Sequence, residues 1–319
     1  MTSLELAMAN LASPPVLFFV LGGLAVAVRS DLELPQATRR WLALYLLFAI
    51  GMKGGVALRG EGLAGAAPML LAAMLISALV PLIWFHALRR RLGTANAAGV
   101  AASYGSVSAV TFVTAVAWLE RLGVDYSGAT VAAMALMEWP AIVMAILLFR
   151  SAEGGGRAVG PVIREALVNG SLLLILGSLI VGFVAGPERA APLEPFYKGI
   201  FPGMLTFFLL DMGMVAARRV GDLRRAGGVL IFFGLAAPIL GAVIGLLTSF
   251  LIGLAPGDAL LLTVLAASAS YIAVPAALRM AIPAANPGVF VPLALGITFP
   301  FNVVIGIPVY MDIIDRLMR

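Results

Sequence analysis

Two short polar segments carry the chemistry this chain can do. Ser103-Tyr104-Gly105-Ser106-Val107-Ser108-Ala109-Val110-Thr111 lies inside one apolar run, and Ser268-Ala269-Ser270-Tyr271-Ile272-Ala273-Val274-Pro275 lies inside another. Hydroxyls gathered with glycine or proline within an apolar run predict a broken helix. A break frees the N–H groups that open the following half-helix. Those donors, with the positive end of the helix dipole, attract anions. Carbonyls ending the preceding half-helix, joined by Ser or Thr oxygens, suit Na⁺. Two breaks facing each other would form one site for a small anion and a cation. The alternative use of the same residues is packing: small side chains let helices approach closely, and their hydroxyls bond carbonyls one turn back.

Three charges also stand inside apolar runs. Glu138 precedes Pro140 by two residues. A carboxylate at membrane depth reads as an Na⁺ ligand or proton carrier, or as a structural hydrogen-bonding partner of the first break. Thr298, before Phe299-Pro300, holds the matching place in the second half. Lys53 and Asp211 are set among Gly and Met at nearly corresponding positions. Opposite charges so placed could pair and lower their desolvation penalty. A gating or structural role and contact with a substrate are the two readings. Asn302 is a further candidate for lining a cavity, and His86, beside Arg89-Arg90-Arg91, reads as an interfacial anchor.

The elements that must position these groups follow from composition. Of 319 residues, 62% are hydrophobic and 12% charged, with a mean hydropathy of +1.06. Soluble domains hold about 45–50% apolar and about 25% charged residues. The chain is therefore expected to be an all-α integral membrane protein. With roughly 20 apolar residues per crossing, ten spans are read at 14–28, 41–58, 64–88, 96–121, 128–149, 166–186, 199–217, 226–254, 258–282 and 288–311. The first run has no basic residue before it and no small-residue cleavage site, so it is expected to stay as a span. No cysteine and one histidine exclude disulfides, thiolate metal sites and, in practice, zinc chemistry. No nucleophile has a base beside it, and carboxylates do not cluster, which argues against an enzyme. Basic residues are divided among short loops, which argues against nucleic-acid binding.

That division also orients the chain. Fourteen Lys and Arg fall on the side holding the loops after spans 1, 3, 5, 7 and 9, six on the other, and Lys53 within a span. Positive charge accumulates on the cytoplasmic side. Both termini are thus expected outside a bacterial inner membrane, with the central linker in the cytoplasm. The net charge of +5 belongs to this asymmetry rather than to an acidic partner.

The halves resemble each other. Residues 1–150 and 166–319 each hold five predicted spans, joined by a polar linker at 151–165. Each half has a Ser-x-Ser segment, then about thirty residues, then an x-Pro within the next span. Val56-Ala57-Leu58-Arg59 parallels Val215-Ala216-Ala217-Arg218. Five is odd, so the second copy enters from the opposite side. That is an inverted-topology repeat with broken helices in spans 4 and 9, a construction used by secondary transporters.

Several motifs carry a family likeness: GMKGGVALR at 51–59, GSVSAVT at 105–111, EWPAI at 138–142, Met212-Gly213-Met214, AASASYIAVPAALR at 266–279 and IPAANP at 282–287. In order and spacing the chain resembles the sodium-dependent bicarbonate transporter family, the single-component type known from cyanobacteria. The resemblance implies ten helices in a five-plus-five inverted repeat. Spans 1, 2, 6 and 7 would form a gate and spans 3–5 and 8–10 a core, in a trimer. It implies bicarbonate and Na⁺ between the broken helices, at Ser106, Ser108, Thr111, Ser268 and Ser270. Combined with the residue reading, substrate candidates are Gly105, Ser106, Ser108, Thr111, Ser268, Ser270 and Tyr271. Na⁺ candidates are Ser106, Glu138, Ser270 and Thr298. Lys53 and Asp211 are gating or structural charges. The chain departs from the family at Tyr271, Ala273 and Val274, where a Ser-rich stretch with Asp and then Ser-Gly is usual. It also departs at Glu138, where Asp is usual, and at Lys53, which replaces a small polar residue. The linker is short, which weakens the inference of a PII-like regulator. The function expected is Na⁺-coupled uptake of bicarbonate, with no cofactor beyond the coupling ion. The alternatives are an H⁺- or Na⁺-coupled carrier of another small solute such as a carboxylate, and a passive anion channel.

Overall fold

A computed structural model describes residues 12–153, 170–226 and 228–318, and every regular element in them is helical. Most of the linker, 154–165, lies outside the described residues. We number the helices α1 Pro14–Ala27, α2 Gln36–Glu61, α3 Leu63–Gly105, α4 Ala109–Leu122, α5 Gly128–Glu153, α6 Gly170–Ala190, α7 Phe201–Ala226, α8 Gly228–Leu251, α9 Pro256–Ala267, α10 Ala273–Ala281 and α11 Pro287–Leu317. Among the described residues, seven helical runs are long and apolar enough to cross a bilayer, and Pro14–Ala27 and Pro256–Ala267 are shorter apolar helices.

One of those runs is Ala64–Leu122, 59 residues long. At 1.5 Å per residue it would span about 90 Å, roughly three bilayer cores, so it is not a single crossing. Two interruptions divide it. Gly93 turns the chain at φ 76°, just past the Arg89–Arg91 cluster, a conformation open to glycine and strained for other residues. Ser106-Val107-Ser108 then leaves the helix in extended geometry before α4 begins. In α9–α10 the helix stops at Ala267 and resumes at Ala273. Both breaks fall on the hydroxyl-rich segments.

Proline elsewhere does not end a helix. α5 continues through Pro140, and the buried Ser77 hydroxyl of α3 donates to the Met137 carbonyl at 2.5 Å. A neighbouring helix thus supplies a donor where proline has loosened the backbone ladder. α11 contains two wider π turns, Ala294–Thr298 and Asn302–Gly306, flanking Pro300. Asn302, a candidate cavity residue by sequence, braces a break instead. Its amide donates to the Ala267 carbonyl at 2.8 Å, at the end of α9, and its oxygen accepts from the Tyr310 hydroxyl at 2.9 Å.

Two helix crossings hold one layer together: α1 lies on α7 and α2 on α6. Each is a glycine contact. Gly22 and Gly213 meet where a Cβ on Gly213 would lie 1.9 Å from the Phe19 carbonyl oxygen. Gly55 and Gly182 meet where a Cβ on Gly55 would lie 2.0 Å from the Leu179 carbonyl oxygen. The second layer packs α3 on α5 and α8 on α9. Gly213→Ala should therefore lower the melting temperature of the purified protein. Alanine gains about 1 kcal/mol of helix propensity. The clash is with backbone, which cannot rotate away, and overpacking of this kind costs about 1–3 kcal/mol. An unchanged or raised melting temperature would show that the crossing can accommodate a methyl group.

Candidate functional site

The two breaks cross and bond to each other. The Ser270 N–H donates to the Ser103 carbonyl at 2.7 Å, and the Ser103 hydroxyl donates back to the Ser270 carbonyl. A second contact runs alongside. The Ser108 N–H donates to the Ser268 hydroxyl oxygen at 2.9 Å, and that hydroxyl donates to the Leu265 carbonyl at 2.9 Å. The Ser-x-Ser segments are 162 residues apart. At that offset the Ser103–Ser270 pair corresponds to Leu265 and Ser108, the two groups that Ser268 bridges. One member of the pair is a direct backbone bond; the other has a hydroxyl inserted.

This crossing leaves two helix starts on one cavity. Ser108 caps α4, its hydroxyl accepting from the Thr111 N–H at 3.2 Å. Ser108, Ala109 and Val110 line a cavity of about 420 Å³ together with Ser270, Tyr271, Ile272 and Ala273 from the other break. Glu138 of α5 and Phe208 of α7 also line it. Most of the remaining wall comes from α2 and α6, and the cavity reaches the exposed residues Arg40 and Gly170 near their first turns. Free N–H groups at a helix start, with a dipole behind them, favour an anion. The Ser106 and Thr111 hydroxyls are both about 99% buried and make no hydrogen bond among the described residues. Oxygens left so in a bilayer-buried site suit a cation as a partner, since isolated burial is unfavourable.

The predicted residues fall into three groups. Ser108, Ser270, Tyr271 and Glu138 share the cavity wall. Ser106 and Thr111 lie buried at the first break, and Ser268 is committed to holding the breaks together. Gly105 and Thr298 serve packing. A Cβ on Gly105 would lie 2.4 Å from Pro81 Cγ. The Thr298 hydroxyl is shared with the Tyr104 hydroxyl at 2.7 Å and donates to the Gly234 carbonyl at 2.8 Å. Tyr271 reaches from the break to α7, its hydroxyl 3.7 Å from Met212 Sδ.

Lys53 and Asp211 do not pair with each other. Lys53 Nζ is 2.9 Å from Glu120 Oε1 and shares a second cavity with Lys198, just before α7. Asp211 faces Arg39 Nε at 3.9 Å, near the start of α2. Each residue thus lies toward the N-terminal end of the other's helix. α2 and α7 run in opposite directions, so similar positions along them fall at different depths. Sequence reasoning also missed Glu120 and Arg40, because a charge at a helix end looks like ordinary surface. Only the single buried lysine could have signalled that a carboxylate had to be near.

The two ends of the α2–α5 contact differ. The cavity at the Arg40 end reaches the helix breaks, and the second cavity, at the Lys198 end, is lined among the described residues by no break residue. At the Lys198 end the helices touch: a Cβ on Gly128 would lie 2.2 Å from the Gly54 carbonyl oxygen. No curated protein matches the chain. The sequence profile of the Na⁺-dependent bicarbonate transporter superfamily matches residues 14–315. With crossed helix breaks lining a cavity, and a match over nearly its whole length, the chain belongs to the Na⁺-dependent bicarbonate transporter superfamily.

Proposed function

We propose that this chain is a secondary active transporter that takes up bicarbonate together with Na⁺, by moving a core against a gate. The observation that carries this reading is the pair of crossed breaks, whose two helix starts line one cavity with the Glu138 carboxylate. The anion would lie at the N–H groups of Ala109 and Ala273. Na⁺ would be held by Glu138 with hydroxyls of the first break. The recurrence of the break contact at a fixed offset, and the two glycine crossings, support ten spans in an inverted five-plus-five repeat. In that frame α1, α2, α6 and α7 are the gate. The arginine-rich end is cytoplasmic in a bacterial inner membrane, both termini are outside, and the cavity faces inward. Assembly as a trimer belongs to the same proposal and rests on the family.

Labelled bicarbonate uptake into proteoliposomes under an inward Na⁺ gradient tests it. Ser108→Ala and Ser270→Ala should each lower uptake by about tenfold, as one lost hydrogen bond near a charge implies, with expression unchanged. Absence of Na⁺-dependent accumulation by the parent would sink the bicarbonate reading.

A specific observation favours one second reading. Leu44, Leu47, Val110, Ile175 and Phe208 make much of the cavity wall apolar. Such walls suit the tail of a small organic carboxylate. Competition by short monocarboxylates for bicarbonate uptake, and their own accumulation, would separate the two.

A further inference from the structure

Lys53 is the feature that the transport site does not absorb. It is 8% exposed, on α2 of the gate. Its ammonium makes an ion pair at 2.9 Å with Glu120 of α4 and sits 3.9 Å from the centre of the Phe201 ring. Glu120 also accepts from the Tyr126 hydroxyl at 3.1 Å. Burial, together with the neighbouring Glu120 carboxylate, pushes the Tyr126 phenol above its ordinary range, so it stays a donor. The loop carrying Tyr126 is fixed to α9, with the Ser127 N–H donating to Asp258 at 2.7 Å. Lys53 thus belongs to one body, and Glu120 and Tyr126 to the other. Between them lies a cavity of about 450 Å³, lined by Lys53, Lys198, Ala57, Glu120, Asp125 and Tyr126.

In the inward-facing arrangement Glu120 neutralises Lys53. Any movement that opens this end carries α4 away from α2 and removes that carboxylate. A buried ammonium stripped of its counter-ion is strongly destabilised. A small anion entering from outside would replace the carboxylate at that moment. Because it would bind Lys53 only once Glu120 has left, it would have affinity for one state and not the other. That is the condition for a ligand to shift an equilibrium. Resting on the transport reading above, we propose that Lys53 is an outer capture site for a small monovalent anion such as bicarbonate, masked by Glu120 in the inward-facing state and exposed as the outer end opens. Anion capture there favours opening, and Glu120 restores closure once the anion has moved on.

The chain has no cysteine, so a single reporter reads this end directly. Ala57→Cys places a thiol in the outer cavity of the full-length protein, to be alkylated from outside intact cells by a membrane-impermeant maleimide. Glu120→Gln in this background should raise the labelling rate about tenfold, since release of the pair shifts the two-state balance. The charge swap Lys53→Glu with Glu120→Lys should return the rate to that of the parent. Saturating sodium bicarbonate, against sodium gluconate, should raise the parent rate about threefold and leave Lys53→Met unchanged. Equal labelling in Glu120→Gln and parent, or an equal bicarbonate response in Lys53→Met, would overturn the proposal. Labelling needs no uptake. If labelling responds and no bicarbonate accumulates, the outer site stands and the transport reading falls. If bicarbonate accumulates and labelling does not respond, the outer site falls alone.

Discussion

Glu138→Gln should lower Na⁺-driven bicarbonate uptake by roughly 10- to 150-fold, the loss expected when one contact to a charged group worth about 1.5–3 kcal/mol disappears. The substitution keeps shape and volume and removes only the charge. Glu138 lines the cavity beneath the crossed breaks, on the same wall as Ser108 and Ser270. Arg40 lines that cavity too, but near the first turn of α2. A carboxylate held at membrane depth is unfavourable unless a cation or donor balances it. A bound Na⁺ would supply that balance during transport. The check is the Na⁺ dependence of uptake in proteoliposomes. Glu138→Gln should respond weakly to the gradient, whereas Glu138→Asp, with the charge retained, should keep a measurable Na⁺ response at a higher Na⁺ concentration. If Glu138→Gln follows the parent curve, coupling does not pass through this carboxylate.

Glu138 and the breaks are legible in the sequence for one reason. In a chain with so few charges and so long a run of apolar residues, a carboxylate or a cluster of hydroxyls stands out against its surroundings. Ser106–Ser108 and Ser268–Ser270 announce their breaks in the same way, and the structure interrupts helices at both. What these hydroxyls bond to is not legible. Nothing local says that Ser268 reaches Ser108, or that Asn302 holds the end of α9. Those partners lie more than thirty residues away and are chosen by packing. The Lys53–Asp211 pairing fails on geometry. Similar places along two oppositely directed helices suggest proximity on paper, yet they fall at different depths, and each charge finds a partner at its own end. Glycine shows the same limit. Gly55 and Gly213 stand out in the sequence as two among 35. Only the crossings show that these two admit another helix's backbone.

Ser268→Ala carries the second large effect. The Ser268 hydroxyl accepts from the Ser108 N–H and donates to the Leu265 carbonyl, both at 2.9 Å, and is 99% buried. Removing it leaves one buried donor, the Ser108 N–H, without its acceptor, while the Leu265 carbonyl keeps the Ser268 backbone N–H at 3.2 Å. Such a loss costs about 1–3 kcal/mol. Relaxation could close the gap by forming the bond directly, as Ser270 and Ser103 do at 2.7 Å. That closure would draw the start of α4 toward α9 by nearly the width of the lost oxygen. It would carry the Ser108 cap and the Thr111 hydroxyl with it. A site that holds an ion is sensitive to displacements of this size. Either way uptake should fall by more than tenfold, with the melting temperature down if the groups stay apart and nearly unchanged if they close. Ser103→Ala is the comparison, because it removes a hydroxyl from the matching contact and leaves the direct backbone bond in place. Its effect should be the smaller on both measures. Ser268→Thr, which restores the hydroxyl, should recover part of the uptake. A Ser268→Ala protein with parental stability and parental uptake would mean that the crossing of the breaks does not set the geometry of the site.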